Sequence, residues 1–164
     1  MADKELVKNV AKRVIRAAIV GVITYITSYV IPMMFLQPGL GFMEEYVEMG
    51  GPDPRTLLVA FASITVFFSV AIELTKDTIL QHVFSIGRGV ALLFFFIYAT
   101  NGGVINLMVE VPEELGAPTP LSVFLTLDVS LLLAIVIGID LLGIGRSVLG
   151  AIHFLSEKAE EELR

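Results

Sequence analysis

Residues Leu121 to Gly143 read LSVFLTLDVSLLLAIVIGIDLLG, with charge only at Asp128 and Asp140. A transmembrane helix needs about 20 mostly apolar residues, so this segment is long enough to cross a bilayer. The composition around it agrees. The chain has 164 residues, of which 55% are hydrophobic and 17% charged, against roughly 25% charged in a soluble domain. Three further apolar runs precede the segment and short polar stretches separate them. The expected fold is an all-α integral membrane protein forming one domain, a four-transmembrane-helix bundle with spans at about 14–36, 55–74, 79–107 and 120–142. A short amphipathic helix over 146–164 follows, with Ile152, Leu155, Ala159 and Leu163 near one face.

Direction follows from the basic residues. With the N-terminus in the cytoplasm, every Lys and Arg except Arg55 falls inside or at the inner boundary. The outer stretches carry Glu44, Glu45, Glu48, Asp53, Glu110, Glu113 and Glu114 instead. By the positive-inside rule this is a multi-pass cell-membrane protein with both termini cytoplasmic. The first run resembles a signal peptide in its charged start, yet it has no charge from Ala17 to Leu36 and no clear A-x-A-like cleavage site, so it reads as a retained span that Pro32 bends or ends.

Polar residues inside the spans mark two levels. In a span beginning at Pro120, Asp128 lies about 10 Å deep, where a carboxylate costs on the order of 2 to 3 kcal/mol and must face protein, water or an ion. Its helical neighbours Phe124, Leu125, Leu131 and Leu132 offer no polar company. Partners are therefore expected from other spans, giving an outer cluster of Asp128, Asn101, Tyr98, Ser28 and Tyr29. Three readings of Asp128 stand open: hydrogen-bonded glue between helices, a proton or cation site, or a contact to another protein. The inner level comprises Glu73, Arg88, Asp140 and Arg146. Glu73 pairs with Arg88 in this reading, and the level serves as an ion-pair network, an inner gate or a phosphate-binding patch. Thr126, Ser130, Ala134 and Gly138 recur every four residues, a spacing suited to close helix packing.

Other chemistry is sparsely represented. There is no cysteine, which excludes thiolate metal sites and thiol catalysis. Met33, Met34, Met43 and Met49 lack an M-x-x-M repeat, and His82 and His153 sit too far from the middle of a span to hold haem. No P-loop, G-x-S-x-G or H-E-x-x-H occurs. Cofactors, metals, nucleic acid and an enzymatic role are thus not expected. Depletion of Cys, Asn and Gln points to a thermophile source. The expected partners are the lipid bilayer, further copies of the chain and other membrane subunits. The expected function is a small homo-oligomeric channel or transport-related protein with an intramembrane carboxylate. The alternative is a non-catalytic accessory subunit or assembly factor of a larger membrane complex.

Overall fold

The computed structural model describes residues 2–37, 47–49, 51–111 and 121–162. Four helices in it are long and apolar enough to cross a membrane: Val10–Gln37, Pro54–Leu74, Ile79–Ala99 and Ser130–Glu161. Helix α1 occupies Ala2–Tyr25 and passes through a π turn at Ile26–Val30 before continuing over 31–37. Pro32 neither ends nor breaks this span. A proline lacks the amide that would bond the carbonyl four residues earlier and its ring crowds that carbonyl; the widened turn lies over that stretch. Hydroxyls occupy the wide turn, with Thr27 Oγ1 donating to Ile23 O at 2.9 Å and Ser28 Oγ donating to Thr24 O at 2.6 Å.

Helix α2, Pro54–Leu74, starts where its sequence says it should. Asp53 caps it, its Oδ2 accepting the Thr56 amide at 3.1 Å, with proline in the first turn where a missing amide costs nothing. A tight turn containing Asp77 at φ 66° leads into α3, Ile79–Ala99. After α3, Asn101, Gly102 and Gly103 have φ of 47°, 72° and 101°. Consecutive left-handed residues cannot continue a right-handed helix, so the third span stops at Ala99 rather than near 107.

The chain then leaves helix altogether. Strands β2 (Val104–Val111) and β3 (Leu121–Asp128) pair antiparallel, from Val104 opposite Asp128 to Val111 opposite Leu121. Strand β1, Val47–Met49, pairs with β2 on its other side and completes a three-stranded sheet in the order β1-β2-β3. The mainly helical fold thus carries a small sheet made from its two long interhelical connections, which places both connections at one end of the molecule. The α2–α3 turn lies at the other end.

Helix α4 begins at Ser130, not Pro120, and runs unbroken to Glu162. Its 33 residues extend about 50 Å, well beyond a hydrocarbon core of about 30 Å. The cytoplasmic tail read as a separate helix over 146–164 is the far end of this one as far as residue 162. Consecutive helices pack on one another, α1 on α2, α2 on α3 and α3 on α4, and no comparable contact brings α4 against α1 among the described residues. The helices form a row rather than a closed bundle. The buried apolar residues among those described, Ala17, Ala62 and Leu133, are few, because apolar side chains on spans need no protein cover where lipid solvates them.

Small residues set the spacing within the row. A Cβ on Gly21 would stand 2.8 Å from Val70 Cγ2, and one on Gly89 would stand 2.6 Å from Ile144 Cγ1. The four-residue series Thr126, Ser130, Ala134 and Gly138 is not a helix seam. Thr126 lies in β3, Ala134 is exposed, and Gly138 has nothing within 4 Å of the place a Cβ would take.

Candidate functional site

The ten-residue displacement of the fourth span exchanges the roles of its two aspartates. Asp128 is the last residue of β3, and its Oδ1 accepts the Ser130 amide at 2.9 Å at the entrance to α4. The Ser130 hydroxyl and amide hold its carboxyl below the usual carboxylate range. It is a turn and helix-entry residue, not an acid inside a span. Asp140 moves the other way. It lies about 15 Å along the axis from Ser130, inside the apolar stretch of α4, and Arg88 stands near the centre of α3, Ile79–Ala99.

Asp140, Arg88 and Arg146 line one cavity of about 580 Å³ between α2, α3 and α4. Helical spacing assembles it. Gln81, Ser85, Arg88 and Leu92 share one face of α3; Asp140, Gly143, Ser147 and Gly150 share one face of α4; Thr65 and Phe61 approach from α2. Ser85 and Ser147 join the two longer walls through a hydroxyl–hydroxyl bond of 2.8 Å. Gly150 leaves space for the His82 ring, whose Cε1 would be 2.8 Å from an added Cβ.

The polar groups of this cavity are poorly satisfied. Asp140 Oδ2 is buried with no hydrogen-bond partner. Arg88 and Arg146 form no hydrogen bond and no ion pair within 4.0 Å among the described residues. For the buried Asp140 Oδ2 an unmade bond costs about 1 to 3 kcal/mol, whereas Arg88 is half-buried and Arg146 exposed, so their unused donors reach solvent. Toward the sheet, the cavity meets Phe61, whose ring centroid lies 5.7 Å from that of Phe95 and 6.1 Å from that of Phe96. Toward the α2–α3 turn its lining continues to Gln81 and His82. The polar space therefore extends from mid-span to the turn end, with an aromatic layer on the sheet side.

The inner level foreseen from sequence divides in two. Arg88, Asp140 and Arg146 meet at the cavity, whereas Glu73 turns to α1 and lies 3.6 Å from Arg16 Nε. Glu73 closes the last turn of α2 while Arg88 lies mid-helix on α3, so the expected Glu73–Arg88 pair does not form. Arg13 reinforces the Arg16 contact, with Nη2 3.4 Å from Asp77 Oδ2 and Nη1 donating to Lys76 O at 3.2 Å.

The expected outer cluster does not assemble. Ser28 satisfies its own helix, Tyr29 stacks on Tyr25 at 5.3 Å, and Tyr98 is 67% exposed. Asn101 lines a separate, mostly apolar recess of about 250 Å³ beside Leu107 and Leu127. With Asp128 at the strand end, no residue of that set reaches Asp140. Sequence reading missed Gln81, Ser85 and Ser147 as cavity residues, although Ser85 is three residues from Arg88, and Gln81 and Ser147 are seven, or two helical turns, from Arg88 and Asp140. Among the described residues no group of three His, Cys, Asp or Glu could hold a metal. No family model matches the chain, and no curated protein or solved structure matches it significantly.

Proposed function

We propose that this is a transport-related integral membrane protein whose working site is the Arg88–Asp140–Arg146 cavity. One observation carries the reading: a carboxylate oxygen buried without a partner, on a helix built to span, beside two unpaired guanidinium groups. Polar groups at such depth are expensive, and they characteristically line ion and proton paths. Asp140 takes and releases the mobile proton or faces the transported ion. The Phe61–Phe95–Phe96 layer is the hydrophobic closure on the far side. The basic-residue asymmetry orients the chain with both termini and the cavity mouth toward the cytoplasm, and the open helix row is completed by further copies.

Liposomes containing wild type, Asp140→Asn or Asp128→Asn at equal incorporation test this. Proton or ion flux should be lost in Asp140→Asn and retained in Asp128→Asn. Equal flux from wild type and Asp140→Asn, or dependence on Asp128 instead, would remove the cavity from the path.

A second reading, accessory subunit of a larger membrane complex, is favoured by the sheet. Strand β3 pairs only with β2 among the described residues and presents Phe124 at 76% exposure. Such an edge is a template for another chain. Folded wild-type protein that supports no flux would favour this reading.

A further inference from the structure

The cavity walls also restrict what can occupy the site, on the reading that this cavity is the working site. Arg88 and Arg146 oppose a single carboxylate, Asp140, so these three groups leave one formal positive charge uncompensated. A free metal cation would meet two guanidinium groups, and no second carboxylate lines the space. The occupant matching this wall is a monoanion.

Donor and acceptor stoichiometry narrows the class further. Each guanidinium presents five N–H donors in a fork that matches an oxyanion, and neither has a protein hydrogen-bond partner among the described residues. Against these donors the free acceptors are few, the Asp140 carboxylate, whose Oδ2 is buried without a partner, and a ring nitrogen of His82. The side-chain carbonyl of Gln81 is already engaged, accepting the Asp77 amide at 3.2 Å. The ligand must be rich in acceptors yet bring an O–H or N–H for Asp140. An ammonium group brings a positive charge and three donors to a wall that already carries two guanidinium groups. Sulfate brings none and would set a bare oxygen against the carboxylate.

We propose that the cavity binds a protonated phosphoryl group, the monoanion of phosphate or a phosphomonoester, with Arg88 and Arg146 donating to its P–O oxygens and Asp140 Oδ2 accepting from its P–OH. The same chemistry is offered by dissolved phosphate and by the headgroup of phosphatidic acid. Phosphodiester lipids lack the P–OH.

The test is equilibrium binding of radiolabelled inorganic phosphate to purified protein in phosphatidylcholine nanodiscs near pH 6.5, with sulfate and glutamate as competitors. Saturable binding that sulfate and glutamate leave intact is expected. Arg146→Gln should weaken it by about tenfold or more, the loss of a charge-assisted contact. Asp140→Asn supplies an amide donor in place of the acceptor, so sulfate should now compete. A purely structural Asp140 would not produce that change of selectivity. Specific retention of phosphatidic acid over phosphatidylglycerol, lost in Arg146→Gln, would assign the same site to the lipid source.

Neither phosphate binding nor phosphatidic acid retention by protein with an intact thermal melt would overturn the inference, as would displacement of phosphate by sulfate or glutamate from wild type. Binding without flux in liposomes would uphold the phosphoryl site and remove transport. Asp140-dependent proton flux without phosphoryl binding would do the reverse.

Discussion

Replacing one glycine by alanine at two positions should move stability in opposite directions. At Gly89 an added Cβ would stand 2.6 Å from Ile144 Cγ1, 3.1 Å from its Cδ1 and 3.8 Å from the Asp140 carbonyl oxygen. Ile144 is β-branched on a helix and has one strongly preferred χ1, so α3 and α4 must separate to relieve the overlap. Overpacking of this kind costs about 1 to 3 kcal/mol. At Gly138 nothing lies within 4 Å, so Gly138→Ala keeps only the gain in helix propensity, about 1 kcal/mol in water. The propensity gain is common to both variants. Their difference therefore isolates the overlap, with Gly138→Ala more stable than Gly89→Ala by about 1 to 3 kcal/mol. Reversible denaturant titration in mixed micelles, followed by far-UV circular dichroism, measures both. Shortening Ile144 to Ala in the Gly89→Ala background should recover part of the loss. Equal effects at the two glycines, or a larger loss at Gly138, would refute the α3–α4 packing and restore the four-residue series through Gly138 as the seam.

The chain has no cysteine, which makes crosslinking a clean report on the cavity walls. Ser85→Cys with Ser147→Cys replaces hydroxyls 2.8 Å apart and should form an intramolecular disulfide under mild oxidation, seen as a reducible gel shift; persistent free thiols in folded protein would contradict the wall geometry. The Asp53 cap gives a pH signature. Its carboxyl is held below the usual range, mainly by the Thr56 amide, so the unfolded chain protonates first as pH falls. The charged cap's stabilisation is present above the unfolded value of about 3.9 and is lost as pH drops through the lower folded value. Asn also caps helices but does not titrate there, so the melting-temperature advantage of wild type over Asp53→Asn should shrink between about pH 5 and pH 2. A difference independent of pH would show that the charge plays no part in the cap.

The four apolar spans and the start of α2 were legible because each rests on local information: length, hydropathy, Asp53 before Pro54, and proline at the first turn. The entry to the fourth span was not. Between Leu121 and Asp128 the apolar residues are nearly continuous, and a short apolar run gives the same hydropathy as strand or helix. Ser122 and Thr126 among Val, Phe and Leu suit a strand, and Gly102-Gly103 suits a stop, but the deciding contact is remote. Gly103 O accepts the Val129 amide at 2.8 Å, fixing the start of α4 from a position before the hairpin. That shift carried both aspartates to new levels. The grouping of Arg88, Asp140 and Arg146 was legible from their places along the spans and all three line one cavity, whereas the departure of Glu73 to Arg16 depended on the packing of α2 against α1, which no single helix encodes.

Strand β1 belongs to the connection after α1 and strand β2 to the connection after α3, and their pairing stitches the α1–α2 hairpin to the α3–α4 hairpin at one end. The two hairpins are therefore fastened at both ends, by the sheet at one and by the tight α2–α3 turn at the other. Helix α4 is joined to the rest of the chain only at its sheet end; beyond that it is held by its packing on α3 and by the Ser85–Ser147 bond. The cavity wall that carries Asp140 is thus a door hung at the sheet, with the Phe61–Phe95–Phe96 layer beside the hinge and the polar space along the opposite edge.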